Sequence, residues 1–150
     1  IILGSNPELC DLFVPKDSQP LLKIAELYKK QLGSLRKTIC ITGSVGKTTT
    51  KEMIACVLSE KYNTLKTQGN LNNEIGLPFT VLELNSEHQA AVIEMGMNHF
   101  REIAYLANIA KPDVAVIINI GTMHIEFLGS QLGIRQAKME ITEGMPEMAP

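Results

Sequence analysis

Residues 38–50 read Thr-Ile-Cys-Ile-Thr-Gly-Ser-Val-Gly-Lys-Thr-Thr-Thr, and this stretch decides the fold. Its first five residues are β-branched or apolar, which predicts a buried strand, and Gly43 and Gly46 bracket a tight turn. The pair Lys47 and Thr48 then opens a segment that suits a helix. A strand, a glycine turn and a helix in this order are the context of a phosphate-binding loop. The sequence therefore predicts a nucleotide site at the end of a strand.

The residue types in this loop suit the binding of phosphate. Gly43 and Gly46 let the main chain approach an anion, so that several N–H groups converge on phosphate oxygens. Lys47 can neutralise the β- and γ-phosphates, and the Thr48 hydroxyl can ligate magnesium. The loop is the short form G-x-x-G-K-T, because Ile41 stands where the longer pattern has its first glycine. The alternative is a glycine-rich turn with an exposed lysine.

Composition excludes several classes of function. A net charge of −2, with 14 basic and 16 acidic residues and 5% aromatic residues, gives no support for nucleic-acid binding. No apolar run is long enough to span a membrane and no signal peptide is visible, so we expect a cytoplasmic protein without a membrane partner. The chain begins at Ile1 and not at methionine, and we expect it to be a piece of a longer protein.

Two further apolar runs predict neighbouring strands. Residues 90–96 are apolar except for Glu94, and residues 114–120 are apolar except for Asn119. Strands that are apolar on both faces are typical of a parallel sheet covered by helices, and such sheets bind ligands at the carboxyl ends of their strands. Glu94 and His124 then lie at the same edge as the loop. Glu94 is a candidate for magnesium binding or for positioning water, against a solvated glutamate; His124 is a candidate ligand, against a capping or core histidine.

The helices carry one informative oddity. Asn98 is a candidate cap of a later helix. Residues 47–62 predict a helix whose buried face carries Thr50, Ile54, Val57 and Leu58. The last helix, over residues 131–143, places Lys138 on its apolar face. Such a lysine either extends its ammonium to water or, if desolvated, has a lowered pKa and becomes a nucleophilic amine.

Several motifs together resemble the Mur ligase superfamily. They are the loop at 41–51, Gly-Asn-Leu-Asn-Asn-Glu-Ile-Gly-Leu-Pro at 69–78, Glu-Met-Gly at 94–96, Asn-Ile-Gly at 119–121 with His124, and Ala-Lys-Met-Glu at 137–140. The asparagine-rich stretch resembles the branch that adds D-alanyl-D-alanine. One departure is Phe100-Arg101, where members of the superfamily often have Pro-Gly.

The resemblance implies an ATP-dependent amide ligase of peptidoglycan synthesis. Its small-molecule substrates would be UDP-N-acetylmuramoyl-tripeptide and D-alanyl-D-alanine, joined through an acyl phosphate. By position, the ATP phosphates would be bound by Gly43, Ser44, Val45, Gly46, Lys47, Thr48 and Thr49. Thr48 and Glu94 would hold one Mg²⁺, and His124 with a carbamylated Lys138 would assist at a second. Asn72 and Asn73 would contact the precursor.

The fold we expect is α/β, a mainly parallel sheet flanked by helices with a P-loop, and incomplete. Residues 1–33 would be the tail of an N-terminal substrate domain with a linker helix, and residues 34–150 the first part of a central ATP-binding domain. A C-terminal domain would be absent, so we expect these residues alone to be inactive. The alternatives are another Mur-type or folylpolyglutamate-type ligase, or a nucleotide-binding module without catalysis.

Overall fold

The computed structural model describes residues 19–32 and 37–146. The predicted domain boundary between residues 33 and 34 lies outside these ranges. In chain order the elements are α1 (Gln19–Leu32), β1 (Lys37–Thr42), α2 (Lys47–Ser59), β2 (Thr64–Lys66), α3 (Gly76–Leu82), β3 (Ala90–Glu94), α4 (Glu102–Ala110), β4 (Val114–Ile117), α5 (Ile125–Leu128), α6 (Gln131–Met139) and a 3₁₀ helix (Glu140–Gly144).

The four strands form one parallel sheet in the order β2-β3-β1-β4. Ile41 lies opposite Glu94 in the pairing of β1 with β3, and Thr42 lies opposite Ile117 in the pairing of β1 with β4. The carboxyl ends of these three strands therefore meet at one edge, directly below the glycine loop. The predicted α/β fold with a parallel sheet is confirmed.

Helices cover both faces of the sheet. Ile39, Ile41 and Val92 pack with Ala55 of α2 on one face. A larger apolar cluster on the other face joins the sheet to α1, α3, α4 and α6. Every residue of β3 is buried, as expected for a strand between two helical layers. This packing holds the carboxyl end of β3 beside the start of α2.

Two helix predictions are wrong in detail. Helix α2 ends at Ser59, and the side chain of Val57 is 72% exposed, whereas Lys51 and Ala55 are the buried residues of this helix. Helix α4 begins at Glu102, and Arg101, not Asn98, occupies its N-cap position with a left-handed backbone (φ 72°). The Asn98 backbone N–H instead donates to the Glu102 carboxylate at 2.7 Å.

Strand β4 is one of the two edge strands of the sheet and pairs with β1 alone among the strands in the two ranges. It is shorter than the predicted run to residue 120 and ends at Ile117, although the Ile118 N–H still donates to the Thr42 carbonyl at 3.0 Å. Its first residue, Val114, is 43% exposed.

In residues 19–32 and 37–146, no helix combines the length and apolar character that crossing a membrane requires.

Candidate functional site

The glycine loop presents the positive end of helix α2. Gly46 precedes the helix with φ 83°, a backbone conformation that glycine adopts without strain. The Thr50 N–H donates to the Gly46 carbonyl at 2.9 Å, so the earlier N–H groups, of Lys47, Thr48 and Thr49, have no acceptor within the helix. These groups and the helix dipole together form an anion site. The Lys47 ammonium lies beside it and donates to the Gly43 carbonyl at 2.9 Å.

Asn119 fixes the shape of the loop. Its Oδ1 accepts the backbone N–H groups of Ser44 and Val45 at 3.0 and 3.1 Å, and its Nδ2 donates to the Val45 carbonyl at 2.9 Å. The Ser44 hydroxyl in turn accepts the Gly121 N–H at 2.9 Å. Sequence reasoning gave Asn119 no role, although one polar residue at the end of an apolar run was the available signal. The turn after β4 thus holds the loop open toward the helix N-terminus.

Glu94 and Thr48 form the hydroxyl–carboxylate pair of the site. Thr48 Oγ1 donates to Glu94 Oε2 at 3.0 Å, and Asn72 Nδ2 donates to Glu94 Oε1 at 2.7 Å. Glu94 is only 2% exposed, which excludes the alternative of a solvated glutamate. Mg²⁺ in nucleotide sites is commonly ligated by a protein hydroxyl or carboxylate oxygen together with oxygens of the bound phosphates. The residues present therefore fit one magnesium ion.

A polar cavity of about 280 Å³ lies at this edge of the sheet. Lys47, Asn72, Asn73 and His124 all line it, so four of the predicted site residues share one cavity. It is also lined by side chains that sequence reasoning did not select, namely Glu74, Asn98 and Glu102. A groove of about 390 Å³ between α1 and α4 contains none of the predicted site residues.

The two asparagines differ in what they contact. Asn73 Oδ1 accepts the N–H groups of Ile75 and Gly76 at 3.2 and 2.9 Å, and so shapes the start of α3. Asn72 contacts the strand end through its side chain and also accepts the Gly96 N–H at 2.7 Å through its carbonyl. A Cβ atom at position 96 would stand 2.9 Å from Asn72 Oδ1. Glycine there allows the close approach of the two segments, and a larger residue would displace the Asn72 side chain.

His124 lies at the start of α5 with φ 66°. It occupies the N-cap position of that helix, but its side chain makes no capping hydrogen bond there. The side chain of His124 therefore does not cap this helix. Its position on the polar cavity leaves the imidazole available to a ligand.

Lys138 lies on the buried face of α6, as predicted. The side chain is 2% exposed, and burial, with the nearby Lys47 ammonium as a smaller cause, lowers the pKa of Lys138 to about 8. Such an amine is partly neutral near physiological pH and can act as a nucleophile. Over the two described ranges, no three His, Cys, Asp or Glu side chains gather closely enough to hold a metal. A cation held by Thr48 and Glu94 would therefore take its remaining ligands from other groups, such as phosphate oxygens.

These features define a P-loop nucleotide-binding domain of the α/β class: a glycine turn after a parallel strand, free N–H groups at a helix start, a lysine, and a hydroxyl–carboxylate pair. Residues 41–149 match the Mur ligase middle domain, and the chain belongs to this family. The resemblance drawn from the sequence motifs is confirmed.

Two curated relatives have the same name. The UDP-N-acetylmuramoyl-tripeptide--D-alanyl-D-alanine ligase of Bacillus subtilis (strain 168) is 50% identical over 127 residues, which are 85% of this chain and 27% of that protein. The ligase of the same name from Escherichia coli (strain K12) is 48% identical over 149 residues, 97% of this chain and 32% of that protein. The chain thus spans between a quarter and a third of these two relatives.

Solved structures agree with the sequence relatives. A crystal structure of MurF from Acinetobacter baumannii superposes with a TM-score of 0.86 at 44% identity, over 91% of this chain and 30% of that one. MurF ligase from Thermotoga maritima, solved in complex with ADP, superposes with a TM-score of 0.82 at 38% identity, over 91% of this chain and 31% of that one.

Proposed function

We propose that this chain is the ATP-binding part of a ligase that joins D-alanyl-D-alanine to UDP-N-acetylmuramoyl-tripeptide in peptidoglycan synthesis. The observation that carries the proposal is the Thr48–Glu94 pair beside the free N–H groups of α2, because such a pair serves phosphoryl transfer. The names of the curated relatives supply the substrates, and the ADP complex of one structural relative supports the nucleotide. Because the reaction would use ATP and a nucleotide-sugar precursor, we also propose that it takes place in the cytoplasm.

Residues 43–49 would bind the ATP phosphates. The N–H groups from Lys47 to Thr49 would donate to phosphate oxygens, and the Lys47 ammonium would leave the Gly43 carbonyl to contact the transferred phosphoryl group. Thr48 and Glu94 would hold Mg²⁺ with their facing oxygens. The bound ion would neutralise charge that develops on the phosphoryl group.

The reaction would proceed in two balanced steps. A carboxylate oxygen of the precursor attacks the γ-phosphorus, ADP leaves, and an acyl phosphate forms. The amine nitrogen of D-alanyl-D-alanine then attacks the carbonyl carbon, loses a proton, and phosphate leaves. Asn72 and Asn73, on the wall of the polar cavity, would contact the precursor.

A second magnesium ion would use His124 and Lys138. An ammonium repels a cation, whereas a carbamate on the Lys138 nitrogen is a carboxylate-like oxygen ligand. The lowered pKa of Lys138 supports this modification, because carbon dioxide reacts with the neutral amine. Histidine is not the ligand that Mg²⁺ prefers, so the role of His124 rests on its place in the cavity and on the family.

Phosphate release by the full-length protein tests the function. ATP and Mg²⁺ are present throughout, and UDP-N-acetylmuramoyl-tripeptide and D-alanyl-D-alanine are added singly and together. We expect release that needs both substrates, and loss of about 100-fold or more in Glu94→Gln, since this change removes one charge from the phosphoryl-transfer site. Glu60→Gln, an exposed carboxylate at the end of α2, is the matched control and should leave the rate unchanged.

Two results would contradict the proposal. Release stimulated by a different amine acceptor would assign the chain to another Mur-type or folylpolyglutamate-type ligase. Binding of ATP without release of phosphate under any combination of substrates would indicate a nucleotide-binding module.

We also propose that residues 1–33 belong to a leading substrate domain. Residues 34–150 would bind nucleotide without ligase turnover when separated from the domains that complete the site.

A further inference from the structure

Lys51 is a buried lysine to which the mechanism above gives no role. It lies one turn after Lys47 on α2 and is 1% exposed, although burying an ammonium is costly unless it finds partners. Its Nζ donates to the Thr67 carbonyl at 2.7 Å and lies 3.2 Å from Glu52 Oε1. Glu52 is at the surface, where it also pairs with Lys66. The buried contact of Lys51 is therefore the one with Thr67.

Thr67 connects Lys51 to the strand that carries Glu94. It follows β2 directly and is completely buried. Its hydroxyl accepts the Glu94 backbone N–H at 3.0 Å, and its own N–H donates to the Val92 carbonyl at 3.1 Å. Thr67 is thus bound through its N–H, its hydroxyl and its carbonyl. A change at Lys51 acts on the residue that holds the backbone of Glu94.

Helix α2 reaches the end of β3 by two routes. Thr48 contacts the Glu94 carboxylate directly, and Lys51, three residues later on the same side of the helix, contacts it through Thr67. We propose that Lys51 is a positioning residue that, through Thr67, holds the Glu94 carboxylate against Thr48 and so sets the affinity for Mg²⁺. This inference rests on the proposed function of that pair in magnesium binding.

Binding of ADP to the full-length protein, titrated with and without Mg²⁺, tests the inference. Lys51→Met keeps the apolar stem and removes the donor. We expect the gain in ADP affinity that Mg²⁺ confers to fall about ten-fold or more, the usual effect of losing a residue that orients a metal ligand, with Mg²⁺-free affinity unchanged. Lys66→Met is the matched control, because it removes the other lysine that pairs with Glu52 and leaves the contact of Lys51 with Thr67 in place, and it should stay within about two-fold of wild type.

A second variant covers the case in which Lys51→Met does not fold. Thr67→Val keeps the carbonyl that Lys51 contacts and removes the hydroxyl that holds the Glu94 N–H, so it should show the same loss of the Mg²⁺ effect. The inference would be overturned if Mg²⁺ raised the ADP affinity of a folded Lys51→Met as much as that of wild type. If Lys51→Met is unfolded, the same result in Thr67→Val would overturn it. In both cases the proposed metal role of Thr48 and Glu94 would stand. Absence of any Mg²⁺ effect in wild type would overturn the proposed metal role and the inference with it.

Discussion

Replacing Asn119 by alanine should weaken both the fold and nucleotide binding. The change removes three hydrogen bonds, to the N–H groups of Ser44 and Val45 and to the Val45 carbonyl. Each is worth about 0.5–1.5 kcal/mol, and water can replace part of each in this half-exposed loop, so we expect a loss of about 1.5–2 kcal/mol in the free energy of unfolding. In a domain of this size that lowers the melting temperature by about 5 °C.

The loss of loop order should also appear in the affinity for ADP. An unanchored loop must be ordered when the ligand binds, and we expect an affinity about ten-fold lower, equivalent to about 1.4 kcal/mol. Asn119→Asp separates the two effects. It keeps the acceptor oxygen but places a negative charge near the phosphates and an oxygen against the Val45 carbonyl, so it should reduce ADP affinity more than stability.

Calorimetry of ADP binding and thermal unfolding provide the measurements for both variants. Asn108→Ala is the matched control, because Asn108 also makes side-chain hydrogen bonds, to the Ala104 carbonyl and to Lys111, but on α4 and away from the loop. It should lower the melting temperature slightly and leave ADP affinity unchanged. Unchanged affinity and unchanged stability in Asn119→Ala would refute the role of Asn119 in shaping the loop.

Three further outcomes are expected. Arg101→Gly should be more stable than Arg101→Ala by about 1 kcal/mol in urea unfolding, because φ is 72° at this position; equal stability would contradict a strained backbone there. Gly96→Ala should push the Asn72 side chain away from the Glu94 carboxylate and raise the Mg²⁺ concentration needed for tight ADP binding about ten-fold. An unchanged Mg²⁺ concentration would show that Asn72 is dispensable. Carbon-13 NMR at a fixed concentration of dissolved carbon dioxide should show the ratio of carbamylated to free Lys138 rising about 100-fold per pH unit below the pKa of about 8 and about ten-fold per unit above it. The ammonium must lose one proton before it reacts, and formation of the carbamate releases a second; a signal independent of pH, or one retained in Lys138→Met, would contradict this.

The strands, and the sheet edge at which the candidate site lies, could be predicted because the sequence patterns that indicate them are local. Runs of β-branched and apolar residues mark β1, β3 and β4, and a parallel sheet brings their carboxyl ends together whatever the loops do. This is why Glu94, 46 positions after Thr48 in sequence, could be expected near it. Lys138 could be placed on a buried helix face for the same reason, since helical spacing alone assigns the face.

The rotation of α2 could be predicted only in part from hydrophobicity, because Ile54 and Leu58 pack against the sheet as expected and Val57 does not. Periodicity places Val57 inward and predicts nothing for Lys51, whereas the structure leaves Val57 72% exposed and buries Lys51. Besides the packing of Ala55, polar contacts hold the start of the helix, from Thr48 to Glu94 and from Lys51 to Thr67, and these partners are distant in sequence. A pattern of apolar residues contains no information on such pairs.

Short or strained elements were missed for a different reason. Helix α3 has seven residues with Gly76 and Pro78 in its first turn, which in sequence is typical of a loop. Its stability comes from burial of Leu77 and Val81 in the main core and not from helix propensity. The start of α4 was placed at Asn98 because asparagine is a common cap, but the Arg101 backbone takes that place.

The outer edge of β4 has consequences for handling the protein. Beyond β4 the described part of the chain supplies no neighbour for this strand, so one row of its backbone N–H and C=O groups is left without strand partners. Any extended segment of suitable register can add there as a fifth strand, and a second molecule offers the same row. The concentration of the protein, more than the chemistry of its nucleotide site, would then decide whether an isolated preparation stays monomeric.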